Sequence, residues 1–129
     1  VIVAIANSEH KKPCFSLEQR KELAKLATSH LNNVEIITFD NLLVDLAKEL
    51  KVNTIVRGLR AVSDFEYELQ IGYANHALWE EIETIYLMPN LKNAFISSSI
   101  VRSIASHGGD ISTLVPKEIL PFLKDLPCM

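Results

Sequence analysis

Arg57, Gly58 and Arg60 stand together between a short apolar run and a segment that reads as a helix start. Two permanent cations and a flexible residue at a strand-to-helix junction can hold phosphate oxygens. The helix start is marked by Ser63 and Glu66, spaced as a capping box in which each side chain bonds the other's backbone N–H. The plainer reading of this stretch is a basic, solvated turn. Lys11 and Lys12 form a second basic loop, and taken alone they read as ordinary exposed lysines. Ser97, Ser98 and Ser99 precede Ile100, Val101, Ile104 and Ala105, which fall at helical spacing. A serine-capped helix start presents backbone N–H groups that suit an anion, although capping alone also explains the serines.

Other chemistry finds little support. His10, His30, His76 and His107 are dispersed and match no metal-ligand spacing. Tyr67, Tyr73 and Trp79 read as packing residues of a helix rather than as a base-stacking platform. Glu66 and Glu68 are available as acid–base groups; the plainer roles are a cap for Glu66 and a structural or ribose hydrogen-bond acceptor for Glu68. No nucleophile elbow, Walker lysine motif or paired-carboxylate pattern occurs. An enzyme built from these parts works by positioning and charge rather than by covalent catalysis.

The elements that must position these residues alternate. Residues 1–6 are a continuous run of Val, Ile and Ala, as expected for a parallel strand buried on both faces. Ser16 with Gln19 predicts a capping box for a helix whose Leu23, Leu26 and Ala27 form an apolar stripe, running to about Leu31. Residues 34–39 read as a second strand. Asp40 reads as the N-cap of a helix carrying Leu42, Leu43, Leu46, Ala47 and Leu50. Residues 52–56 read as a third strand, followed by the Arg57–Arg60 turn and a helix to about Trp79. Residues 83–88 read as a fourth strand. After a loop comes the serine-capped helix, stopped at His107, Gly108 and Gly109. Pro116 then leads into a closing helix with Ile119, Leu120, Leu123 and Leu126.

This order predicts an α/β fold with an open parallel sheet and helices on its faces. Ligands of such sheets sit outside the carboxyl ends of the strands. One rim is therefore expected to collect Lys11, Arg57, Arg60 and the serine-rich helix start, a polyphosphate site made of separate parts.

The totals agree with one domain, residues 1–129, with 48% hydrophobic residues for its core. A net charge of −3 carries no general nucleic-acid footprint, so an anion site must be a local cluster of cations. Cys14 and Cys128 match no metal or CxxC spacing and are expected as thiols of a reducing compartment. The opening apolar run is too short to span a bilayer and lacks the flank of a signal peptide.

Longer motifs carry a resemblance. Arg57-Gly58-Leu59-Arg60, then Asp64-Phe65-Glu66-Tyr67-Glu68, then the 95–102 run from Phe95 through Ser97, Ser98 and Ser99 to Arg102, then Gly109-Asp110 and Val115-Pro116, occur in order. Together with the loop from Ser8 to Pro13, they resemble the bacterial phosphopantetheine adenylyltransferase family, over the whole chain. The resemblance implies a Rossmann-like nucleotidyltransferase that joins 4′-phosphopantetheine to the adenylyl group of ATP. The products are dephospho-coenzyme A and pyrophosphate, in coenzyme A biosynthesis. It implies Mg²⁺ bound through the nucleotide phosphates with no protein side chain as metal ligand, a cytoplasmic homohexamer, feedback by coenzyme A, and no nucleic-acid or membrane partner. By matching positions it implies Lys11 and Arg57 at the phosphopantetheine phosphate and Leu43 along the pantetheine arm. Gly58, Leu59, Arg60 and Glu68 match ATP-binding positions, as do Asn93, Ala94, Phe95, Ile96, Ser97, Ser98 and Ser99. Lys11, Arg60 and Ser98 are the residues implied nearest the chemistry.

The family begins with a further strand ending in a Gly-Thr-Phe-Asp-Pro type loop and a Thr/His-x-Gly-His motif, and nothing here matches either. That strand lies between the two that correspond to residues 1–6 and 54–56. The expectation is an N-terminally incomplete domain with two strand edges left unpaired. A chain that truly begins at Val1 is expected to fold poorly or rearrange its sheet, with little or no activity. The competing readings are another adenylyl- or cytidylyltransferase, and a nucleotide-binding module without catalysis. Pyrophosphate release with ATP and 4′-phosphopantetheine separates them.

Overall fold

The computed structural model describes the chain except Pro127, Met129 and the side chains of Glu9, Val62 and Ser63. It is α/β, with four strands and four α-helices among the described residues: β1 (Ile2–Ala6), α1 (Leu17–Ala27), β2 (Glu35–Phe39), α2 (Leu43–Glu49), β3 (Thr54–Gly58), α3 (Val62–Leu78), β4 (Glu83–Leu87) and α4 (Ser98–Ser106). The chain forms two compact units, one of Val1–Asp40 with Ile96–Met129 and one of Asn41–Phe95.

The first unit is built on β1–α1–β2. The strands pair in parallel, Ile2 opposite Glu35 through Ala6 opposite Phe39, and α1 packs against both. Parallel pairing requires such a crossover. The capping box forms as expected: Gln19 N–H donates to the Ser16 hydroxyl, and Ser16 N–H donates to Gln19 Oε1. α1 ends at Ala27, short of the expected Leu31, where the Thr28 hydroxyl donates to the Ala24 carbonyl and ends the ladder. α4 is capped by Ser97, whose hydroxyl accepts from Ile100 N–H at 3.2 Å. It stops where Gly108 turns to φ +72° and Gly109 N–H donates back to the Ile104 carbonyl. The expected closing helix is only a 3₁₀ turn, Leu120–Leu123. Pro121 inside it has no N–H to donate to an α-helical ladder. Its leucines still reach a core: Ile111, Leu123 and Leu126 are buried together, with Cys14, Phe15, Val101 and Ile104 against them.

That packing corrects the reading of the cysteines as free thiols. Cys14 and Cys128 form a disulfide with Cα atoms 5.0 Å apart. A separation of 114 positions gave no hint of the pairing, because the apolar cluster and not a local motif brings the two ends together.

The second unit is α2 followed by β3–α3–β4. Thr54 through Gly58 pair in parallel with Glu83 through Leu87. Its core is Val44, Ala47 and Ile82, with Ile55 and Trp79 packed against them. Asp40 is not the N-cap of α2; that place falls to Leu42, and no side chain caps the helix. α3 starts at Val62 with Ala61 as N-cap, so Ser63 falls inside the first turn, and its expected capping bond lies outside the described residues. Tyr67 and Tyr73 are exposed rather than packed; of the three aromatics, Trp79 alone joins the core cluster.

The strands form two parallel ladders among the described residues, β1–β2 and β3–β4. Among the described residues β1 and β3 are each paired along one edge. The expectation that residues 1–6 are buried on both faces fails: Val3 is 36% exposed.

Candidate functional site

The sequence-predicted site residues fall into both units. In the first, Lys11 ends a 3₁₀ turn (Glu9–Lys11) just after β1 and is exposed. Lys12 follows it at φ +33°, a left-handed conformation that sharply reverses the chain. Ser98 and Ser99 occupy the first turn of α4 and are exposed, while Ser97 is engaged as the cap. The N–H groups of that first turn have no partner within the helix, and the helix dipole favours an anion there. Sequence reasoning passed over Arg20. It reads as the polar face of α1, yet its Nη1 donates to the Ala6 carbonyl at 3.0 Å, at the carboxyl end of β1. Its Nε is buried without a hydrogen-bond partner.

The second unit holds Leu43 at the start of α2, Arg57 and Gly58 at the carboxyl end of β3, and Leu59 and Arg60 in the turn after it. Asn93 ends a 3₁₀ turn (Leu91–Asn93), and Ala94 and Phe95 follow. Leu59 N–H donates to the Leu87 carbonyl at 2.9 Å, which extends the β3–β4 ladder by one bond into this turn. Arg60 is tied to the helix that follows: its Nε donates to Asp64 Oδ2 at 3.1 Å, and its backbone N–H donates to the same oxygen at 3.3 Å.

The firmest contact in this unit joins Arg57 and Glu68. Arg57 Nε donates to Oε2 at 2.8 Å and Nη2 to Oε1 at 2.6 Å, a fork-on-fork pair. Glu68 is the buried member, with 11% of its side chain exposed against 46% for Arg57. The hydrogen bonds it donates to Glu68 hold the Arg57 guanidinium above its usual pKa. Two of its five N–H groups are engaged by Glu68, and half of the side chain faces solvent, so donors remain for an anion. Behind the pair, the Tyr86 hydroxyl donates to the Glu68 carbonyl at 2.9 Å. Burial, with the Glu68 charge adding to it, pushes the Tyr86 phenol up. Tyr86 also meets Phe65 edge-on, ring centroids 6.4 Å apart.

Neither Tyr86 nor its neighbour Gly72 was singled out from the sequence. Tyr86 is one aromatic in an apolar strand, and Gly72 is a helix-interior glycine whose purpose appears only when Tyr86 is placed above it. Among the described residues no group of three or more His, Cys, Asp and Glu is arranged to hold a metal ion, and no helix is long and apolar enough to cross a membrane.

The cytidylyltransferase-like family matches residues 1–104. A phosphopantetheine adenylyltransferase of Campylobacter jejuni is 84% identical over 129 residues, all of this chain and 82% of that protein. Those of Campylobacter hominis and Campylobacter fetus are 66% and 64% identical over 128 residues, 99% of this chain and 80% of each relative. The chain belongs to the phosphopantetheine adenylyltransferase family. Its parallel β–α–β units agree with the Rossmann-like nucleotidyltransferase fold. Arg57 lies at the carboxyl end of β3, Arg60 in the turn after it, and Ser98 and Ser99 in the first turn of α4.

Proposed function

We propose that this protein transfers the adenylyl group of ATP to 4′-phosphopantetheine, giving dephospho-coenzyme A and pyrophosphate in coenzyme A biosynthesis. The observation that carries this is the 84% identity to a phosphopantetheine adenylyltransferase across all 129 residues. The physical chemistry agrees. An oxygen of the acceptor phosphate attacks the α-phosphorus of ATP, and the bond to the β-phosphate oxygen breaks in line. The nucleophile belongs to the substrate, so a protein nucleophile is not needed. What the protein supplies is alignment and compensation of charge.

In this reading Lys11 and Arg57 take the acceptor phosphate, and Leu43 lines the pantetheine arm. Gly58, Leu59 and Arg60 take ATP. Asn93 to Phe95, Ile96 and the α4 start at Ser97, Ser98 and Ser99 take its phosphates, through N–H groups and hydroxyls. We assign Lys11, Arg60 and Ser98 the catalytic role of balancing the charge that builds on the reacting α-phosphate. The donor set is cationic and N–H-rich rather than carboxylate-rich, which fits Mg²⁺ carried in on the nucleotide. Such an ion would add charge neutralisation on the phosphates. We further propose a cytoplasmic homohexamer with coenzyme A as feedback ligand.

The test is pyrophosphate release with ATP or CTP as donor, and with 4′-phosphopantetheine or another phosphate monoester as acceptor. Release with ATP and 4′-phosphopantetheine alone is the expected result. Preference for CTP, in keeping with the broader cytidylyltransferase-like family, or for another acceptor overturns the assignment. Binding of nucleotide without release points to a module that has lost catalysis.

A further inference from the structure

The family resemblance implies an ATP contact for Glu68, and the structure adds a second partner for its carboxylate. Both of its oxygens accept from Arg57, at 2.8 and 2.6 Å. Arg57 is half-exposed and keeps three N–H groups for a ligand. A long arginine side chain has many rotamers, and fixing it before the substrate arrives lowers the entropy lost on binding.

The support extends behind the carboxylate. Glu68 lies on α3 and Arg57 on β3. The Tyr86 hydroxyl on β4 donates to the Glu68 main-chain carbonyl and so fixes the helix turn that carries Glu68. Tyr86 reaches that carbonyl across Gly72, where a Cβ would collide with the phenol oxygen. Phe65, one turn before Glu68, holds the Tyr86 ring from its edge. Gly72, Tyr86, Glu68 and Arg57 thus form one chain of contacts inside the second unit, ending on a guanidinium with free donors.

We infer that Glu68 is the positioning residue for Arg57, and that Tyr86, admitted by Gly72, fixes Glu68 in turn. Glu68 then serves the acceptor phosphate through Arg57. This rests on the reading above, that Arg57 receives the acceptor phosphate.

The experiment is steady-state kinetics of the wild-type protein, Glu68→Gln, Tyr86→Phe, Arg57→Ala and the double variant Arg57→Ala/Glu68→Gln, varying each substrate separately. Glu68→Gln is expected to raise KM for 4′-phosphopantetheine by roughly tenfold or more, the effect of one charge-assisted bond. KM for ATP is expected to stay within about twofold. Tyr86→Phe should move acceptor KM in the same direction, by about two- to threefold, at the weak end for a neutral hydrogen bond. In the Arg57→Ala background, Glu68→Gln should change acceptor KM no further, a result that loss of fold alone does not produce. A selective rise in ATP KM, or additive effects of the two substitutions, overturns the inference.

A second readout needs no turnover. The Arg57 Nε–H resonance should exchange slowly in the wild-type protein and rapidly in Glu68→Gln. Equal exchange in both overturns the inference, whatever the assay shows. A wild-type protein that makes no product, yet shows the protected Nε–H, overturns the proposed reaction and supports the positioning.

Discussion

Cys14 and Cys128 are joined in a disulfide that ties the turn before α1 to the C-terminal segment, 114 positions away. The bond sits at the edge of the cluster of Ile111, Leu123 and Leu126, against which Cys14 itself packs. It therefore adds a covalent link to a contact that burial already favours. Closing so long a loop removes many conformations from the unfolded chain, and the expected stabilisation is about 2–4 kcal/mol. Reduction, or Cys128→Ser, should lower the unfolding midpoint in urea accordingly. Thiol titration under denaturing conditions checks the bond itself: no free thiol before reduction, and the two cysteines after it. Two reactive thiols in untreated protein would show that the pair is not closed in solution.

Arg57 and Glu68 differ in burial, so removing one does not mirror removing the other. Arg57→Ala leaves a buried carboxylate without its cation and should cost about 2–3 kcal/mol, less than a fully buried pair because Arg57 is half-exposed. Glu68→Gln leaves a half-exposed guanidinium that water can solvate, at about 1 kcal/mol. Chemical denaturation of both variants should therefore rank Arg57→Ala as the less stable. The reverse order would mean that the carboxylate is solvated in the folded protein.

Arg60 gives the opposite pattern. Its pair with Asp64 is partly exposed and spaced at i,i+4, which contributes only about 0.3–0.5 kcal/mol. Arg60→Ala should move the thermal midpoint by little. Pyrophosphate release should fall far more, because the same side chain is proposed to stand at the ATP phosphates. Unchanged release in that variant removes Arg60 from the site.

The sequence was most legible where signals are local. The Ser16–Gln19 box, the Ser97 cap and the Gly108–Gly109 stop are each written in a few adjacent residues, and each forms. So are the four strands and their parallel sense, carried by apolar runs alternating with helices. Asp40 failed because a good capping residue is no use unless the helix starts next to it, and α2 starts three residues later. Tyr67 and Tyr73 failed because helical spacing alone does not say which face of α3 meets the core. The proposed site is read from the sequence as a set of cations and serines, and these fall into both units. The contacts behind it were not: the grip of Glu68 on Arg57 and the backing by Tyr86 join distant positions and depend on how strand and helix pack, as does the Cys14–Cys128 bond elsewhere in the chain.

Tyr86 offers a test by pH. Its phenol titrates above the usual tyrosine value of about 10, mainly because it is buried. The folded state thus prefers the protonated form, and its contribution to stability is complete below the unfolded pKa. It is lost as pH rises through the raised folded value, when the hydroxyl can no longer donate to the Glu68 carbonyl. The difference in tyrosinate absorbance between wild type and Tyr86→Phe should show one step above pH 10. Wild-type stability should fall toward that of Tyr86→Phe across the same range. A step below pH 10 would mean that the hydroxyl is exposed to water.

Gly72 decides between two effects of opposite sign. It lies inside α3, where alanine is favoured over glycine by about 1 kcal/mol. Propensity alone therefore predicts that Gly72→Ala stabilises the protein. The added methyl, however, would occupy the place of the Tyr86 hydroxyl oxygen, while the ring carbon bearing it stays at an ordinary 3.6 Å. An aromatic ring held by Phe65 and by its own strand cannot swing aside freely, so overpacking of about 1–3 kcal/mol is added to the lost hydrogen bond. The sum should make Gly72→Ala destabilising by about 1–2 kcal/mol. Tyr86→Phe removes the atom in conflict and nothing else. The double variant Gly72→Ala/Tyr86→Phe should accordingly be more stable than Gly72→Ala, although Tyr86→Phe alone is less stable than wild type. Thermal unfolding of the four proteins reads this sign reversal directly, and a Gly72→Ala protein as stable as wild type would show that Tyr86 does not reach across Gly72.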